Sequence, residues 1–179
     1  MLGRLDLVPA LDRADLLAGA VLALLRQWPR VAEVQVAEID PDLADTQAFC
    51  DAYGIALAQS ANCVVVAGRR GEDVRHAACL VLATTRADVN GVVRRRLDAR
   101  KASFAPREQT VQATGMEYGG ITPVGLPADW PVLVDATVVA AGQVVIGSGL
   151  RRSKLVLPGA AVADLPGVEV LPGLAQLAG

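Results

Sequence analysis

The chain has 179 residues, a net charge of −2, 53% hydrophobic residues and only 3% aromatic ones. That length can bury a full core, and the composition excludes disorder and calls for a core of Val, Leu, Ile and Ala. The charge balance excludes a polycation, so any contact with nucleic acid has to come from a local basic patch, and neither DNA nor membrane is an expected partner.

Residues 1–10 read as a short extended entry. Asp12 is placed to cap a helix over about 12–28, with Leu16, Leu17, Ala20 and Leu24 on one face and Pro29 closing it. The apolar run 16–25 lies between Arg13 and Arg26 and is too short to span a membrane. Without signal-peptide grammar, the expectation is a soluble, cytoplasmic chain. Residues 31–39 alternate as a strand, and Asp40-Pro41 turns into a helix over about 42–53 stopped by Gly54.

Residues 63–67 and 77–84 are almost wholly apolar, which predicts two neighbouring strands of a sheet covered on both faces, joined by the polar run 69–73. A helix over about 88–97 follows. It carries Arg94, Arg95 and Arg96, with Arg100 and Lys101 just beyond. Such a run is either a solvated face or a phosphate-contacting one. Then come a short strand at 101–104 and a helix opened by Pro106 and ended by Gly115. Beyond the glycine-rich segment 114–125 lie a strand at 131–134 ended by Asp135, a helix or turn at 136–141, and a strand at 144–146 ended by Gly147-Ser148-Gly149. Arg151, Arg152 and Lys154 form a second basic cluster before a strand at 155–157; a helix over 158–165, a strand at 168–170 and a frayed tail at 172–179 complete the chain. The irregular alternation predicts an α/β fold with a mixed sheet, not a doubly wound one. With no repeat and no long linker, residues 1–179 read as a single domain.

The usual constellations of catalysis are missing. There is no G-x-S-x-G elbow, no P-loop, no dinucleotide fingerprint and no evident carboxylate pair. His76 stands alone, and Cys50, Cys63 and Cys79 form no C-x-x-C pair, so no metal or other cofactor is expected and the thiols read as free and buried. What remains is the loop Gly119-Gly120-Ile121-Thr122-Pro123-Val124-Gly125. It is either a structural turn or a device that presents backbone N–H groups to a ligand.

The loop, the downstream Pro131-Val132-Leu133-Val134-Asp135 and the turn Gly147-Ser148-Gly149 occur in an order and spacing that resemble the YbaK/prolyl-tRNA-synthetase-associated domain. This is the aminoacyl-tRNA deacylase, or trans-editing, superfamily. The resemblance covers residues 40–171 and leaves 1–39 as a helix-strand extension. It implies a curved, partly barrel-like sheet flanked by helices, no metal, and hydrolysis of the ester on a mischarged tRNA. It implies as partners the acceptor end of that tRNA and an aminoacyl-tRNA synthetase. On this reading Gly119, Gly120 and Pro123 shape the ester-binding loop, and Ile121, Thr122, Asp135, Ser148 and Gly149 line the pocket. Either Arg94, Arg95, Arg100 and Lys101, or Arg151 and Arg152 with Lys154, would meet the acceptor stem. The family's strand lysine is replaced: Ser60-Ala61-Asn62-Cys63-Val64 places Asn62 there, a shorter, neutral side chain. Asn62 faces substrate or merely caps the strand entry, and Asp135 faces substrate or ends its strand. The leading expectation is a deacylase. The alternatives are a non-catalytic relative that binds tRNA or a synthetase, and a small-molecule-binding domain without RNA contact.

Overall fold

The computed structural model describes residues 2–177. Two sheets form its frame. The first is antiparallel throughout, in the order β1 (Val8–Pro9), β2 (Gln35–Glu38), β9 (Ser153–Pro158), β8 (Gln143–Gly147). The second is mixed, in the order β10 (Val168–Leu171), β7 (Val132–Asp135), β4 (Asp73–Leu82), β3 (Ala61–Arg70), β6 (Lys101–Phe104). β4 runs antiparallel to β3 and parallel to β7. A lone parallel bridge between Ser60 and Val145 ties the start of β3 to β8, so the sheets curve into one another. The mixed α/β architecture expected from the alternation is therefore present.

Burial follows the two-residue alternation of the strands. Leu80, Leu82, Val132 and Val134 of one sheet meet Val144, Ile146, Leu155 and Leu157 of the other, and Leu16, Val21, Leu25 and Trp28 close over them. The outer face of the mixed sheet packs Val66, Cys79, Val81 and Leu133 against Val93 and Leu97. The outer face of the antiparallel sheet packs Val145 and Val156 against Phe49 and Cys50 of α2 (Thr46–Tyr53). The fully apolar 77–82 stretch thus has both faces covered, as a near-continuous hydrophobic strand requires.

Several elements differ from expectation, each for a tertiary reason. The helix expected over 12–28 divides into a 3-10 turn, Ala10–Leu16, and α1 (Gly19–Leu25). Leu17 and Ala18 between them are extended, and the Ala18 N–H donates to the Ser148 carbonyl at 3.2 Å instead of continuing a helix. The helix expected from 42 splits likewise, because the Asp40 side chain caps a separate 3-10 turn, Pro41–Leu43. Gly54 does stop α2, at φ 67°.

The segment expected as a helix over 88–97 begins as a π-turn, Val89–Val93, and ends as α3 (Arg94–Arg96). Asp88 caps it through the N–H groups of Gly91 and Val92. α4 (Arg107–Thr114), ended by Gly115, and α5 (Ala136–Ala140) lie where expected, whereas α6 is only Gly159–Val162. The tail expected to fray instead forms β11 (Ala175–Leu177), paired with β5 (Thr85–Ala87), and Leu174 is fully buried. Residues 178 and 179 of that tail lie outside the described residues. No helix among the described residues is long and apolar enough to cross a membrane.

Candidate active site

A gap in strand pairing makes the site. β6 pairs with β3 only from Val66 to Arg69, so the first half of β3 is an open edge beside β4. The Val65 and Arg69 carbonyls accept from Ala105 and Arg100 on the β6 side, both at 2.8 Å. Alternation along the strand turns the backbone groups of Cys63 to that same open side. A cavity of about 510 Å³ occupies the gap, a volume typical of small-molecule sites.

Across this cavity the Asn62 strand faces the glycine-rich loop. Asn62, Cys63, Gly119 and Ile121 line it, together with Asp45 and Thr46 at the start of α2, and Phe104, Arg107 and Tyr118. The Thr46 hydroxyl donates to the Asn62 side-chain oxygen at 2.7 Å. That bond takes one lone pair of the amide oxygen, orients the amide and leaves its N–H groups as donors. Cys63 is a poor nucleophile here, because burial and the neighbouring Cys79 push its thiol up and keep it protonated.

The loop is held by its backbone. Gly120 N–H donates to Glu117 at 3.0 Å, Gly149 N–H to Gly120 at 2.7 Å, and Glu117 N–H to Gly149 at 2.9 Å. A Cβ on Gly120 would lie 2.6 Å from the Leu150 carbonyl, so only glycine permits this approach. The Gly120 amide is spent on the turn, which leaves Gly119 and Ile121 as the loop residues reaching the cavity wall. Thr122 and Pro123 point into the protein; the Thr122 hydroxyl is fully buried without a partner among the described residues.

The remaining residues expected to line the pocket lie elsewhere. Asp135 is 3% exposed, caps α5 through Thr137 N–H at 2.9 Å and accepts from Ala175 N–H at 2.9 Å. Ser148 is fully buried, its hydroxyl 2.7 Å from that of Ser153. Gly149 packs against Ala18. Neither Ser148 nor Gly149 reaches the cavity, so they serve to hold the loop.

The basic residues also divide. Arg94, Arg100 and Lys101 share a second groove of about 600 Å³ with Arg69, while Arg95 stays outside it. Arg151 lies 3.6 Å from Asp45, and Arg152 donates to the Asp15 carbonyl at 2.6 Å. His76 stacks on Trp130, ring centroids 5.0 Å apart. Among the described residues no cluster of three or more His, Cys, Asp or Glu is placed to hold a metal ion.

The residue that sequence reasoning misplaced is Lys154. It is one of two lysines in the chain and lines the same cavity as Asn62. Its ammonium donates to the Ala44 carbonyl at 3.1 Å and lies 5.2 Å from the centre of the Phe49 ring. Burial pulls its pKa down to about 8. The available signal is its strand: Lys154 shares a face of β9 with Val156, a core residue, so a lysine there had to point inward.

No curated protein matches the sequence. Among solved structures, a candidate trans-editing enzyme for prolyl tRNA synthetase is 21% identical, with a TM-score of 0.72 over 87% of this chain and 94% of that one. The hypothetical protein APE2540 is 16% identical, with a TM-score of 0.74 over 88% of this chain and 99% of that one. Likeness at such identity describes the fold. The model of the aminoacyl-tRNA editing domain matches residues 40–165, most of the chain and all of the strands and loops that frame the cavity. The chain belongs to the aminoacyl-tRNA editing domain family.

Proposed function

We propose that this protein acts in trans as an aminoacyl-tRNA deacylase, hydrolysing the ester between a mischarged amino acid and the terminal ribose. The observation that carries this reading is a cavity in which Asn62 faces Gly119 and Ile121 across an open strand edge. The ester carbonyl sits between the Asn62 amide and the loop, and water adds to the acyl carbon. The C–O bond to the ribose then breaks, one proton of the water goes to the ribose oxygen and the other to solvent, and the amino acid leaves as its carboxylate. Donors aimed at the developing negative charge lower the barrier.

The cavity mouth suits an unpaired nucleotide. Phe104 and Tyr118 are exposed, and the Arg107 guanidinium lies 4.2 Å over the Tyr118 ring. Exposed aromatic and guanidinium planes stack on splayed bases. The basic groove of Arg69, Arg94, Arg100 and Lys101 continues along the same β3–β6 pair. It offers phosphate contacts to the acceptor end in a protein of net charge −2.

The test is a deacylation assay over a panel of mischarged tRNAs. Turnover above the buffer rate is expected for at least one; none at all from folded protein sinks the enzyme reading. The neutral Asn62 favours one second reading, a relative that binds tRNA or a synthetase without hydrolysis. Salt-dependent tRNA binding with no turnover would select it.

A further inference from the structure

We propose that Lys154, reaching in from β9, is the catalytic cation of the cavity and holds the acyl oxygen as negative charge develops on it. The inference rests on the ester-hydrolase reading of the cavity. Its grounds are placement and solvation. Among the described residues two cationic side chains line this cavity, Lys154 and Arg107, and Arg107 is stacked on Tyr118 at the mouth. None of the ion pairs among the described residues involves Lys154. One of its three N–H donors goes to the Ala44 carbonyl. A largely desolvated ammonium with donors to spare is costly unless a ligand completes its shell.

The neighbours of Lys154 leave it room. Its cross-strand partners are Ala37 on β2 and Gly147 on β8, so neither sheet neighbour walls off the side chain. The titratable and charged groups around it are Asp45 and Cys50 from the α2 side and Arg151 from its own strand's approach. Cys63 of β3 and Arg107 of α4 face it across the cavity. Asn62 then has the complementary part, in which its N–H groups orient the ester while Lys154 supplies the charge that Asn62 lacks. In the chemical step the carbonyl π pair moves to oxygen as water adds. The ammonium holds that oxyanion until the ester C–O bond breaks and the oxygen returns to a carbonyl. Of the two protons of the attacking water, one goes to the departing ribose oxygen and the other to solvent as the amino acid leaves as its carboxylate, so Lys154 transfers neither.

The test compares wild type, Lys154→Met, Lys154→Arg and the swap Asn62→Lys/Lys154→Met, each checked for fold by circular dichroism. Lys154→Met is expected to lower kcat/KM by about 100-fold, the scale of losing one oxyanion donor. The swap should restore part of that loss by returning a cation from the opposite strand, and Lys154→Arg should retain more activity than Lys154→Met. Wild-type kcat/KM should fall as pH rises through about 8, where the ammonium loses its proton; the swap should shift that midpoint. A readout that needs no turnover accompanies these. An amide-linked aminoacyl adenosine, which cannot be hydrolysed as an ester, should bind wild type more tightly than Lys154→Met and should move the Lys154 ammonium resonance and its titration midpoint. Analogue binding and resonance shift without wild-type turnover would overturn the hydrolase reading while upholding the Lys154 contact. Folded Lys154→Met with wild-type kcat/KM, or with wild-type analogue affinity and an unmoved lysine resonance, would overturn the proposal itself.

Discussion

Lys154 bears on stability as well as chemistry. Its ammonium titrates near 8 in the folded chain and near 10.5 when free of it. Burial therefore penalises the charged form, and folding is weakened wherever the lysine must be charged. Between those pH values the unfolded chain holds a proton that the folded chain has lost, so this residue's contribution rises with pH. Relative to its value above about pH 10.5, the stability of Lys154→Met over wild type should accordingly be greater by about 3 kcal/mol at pH 6. The gap should narrow as pH rises from about 8 to about 10.5. Urea denaturation of the pair across pH measures it, and comparing the two proteins cancels the opposite trend from buried thiols such as Cys79, which burial pushes up to about 12. A gap that does not change with pH would contradict the desolvated ammonium. A residue that costs stability at neutral pH is consistent with a functional site, where local strain or desolvation is retained.

The element that shapes the site is the joint between the end of β8 and the glycine-rich loop. Gly147 closes β8 and also lines the cavity. A Cβ there would press on the backbone carbonyls of Gly120 and Ile121, at 2.5 Å from the former. Backbone cannot swing aside as a side-chain tip can, so the loop itself must move. Gly147→Ala should cost about 1–3 kcal/mol, the range for overpacking a closed core. It should also lower kcat/KM by displacing Gly119 and Ile121 from the cavity wall. Chemical denaturation and the deacylation assay together check this; unchanged stability and activity would show that the loop has slack. The open edge of β3 belongs to the same scale, because β6 leaves it at Val66 and the cavity fills the space a longer strand would occupy.

At the scale of the whole molecule, charge is distributed against its total. The net charge is −2, yet Arg69, Arg94, Arg100 and Lys101 gather in one groove beside the cavity. If this groove meets the acceptor end, Arg100→Glu and Lys101→Glu should each weaken tRNA binding and reduce the slope of log affinity against log salt by about one per lost phosphate contact. Filter binding between low and moderate salt measures the slope; an unchanged slope in both variants would remove the groove from the interface. Local pattern determined much of this protein by itself. The buried strands around 63–67 and 77–84, the stops at Gly54 and Gly115, the mixed α/β architecture and the loop at 119–125 were legible because alternation, capping and glycine punctuation act within a few residues. So was the family to which the chain belongs. Contacts far apart in sequence decided the rest. Ser148 extended Ala18 and divided the first helix, and pairing with β5 ordered the tail. Asp135 was drawn to α5 and Ala175. Lys154 was turned into the cavity because both faces of β9 are covered; the apolar run 155–157 signals a buried strand, but no short stretch of sequence records which residues will face it across a cavity.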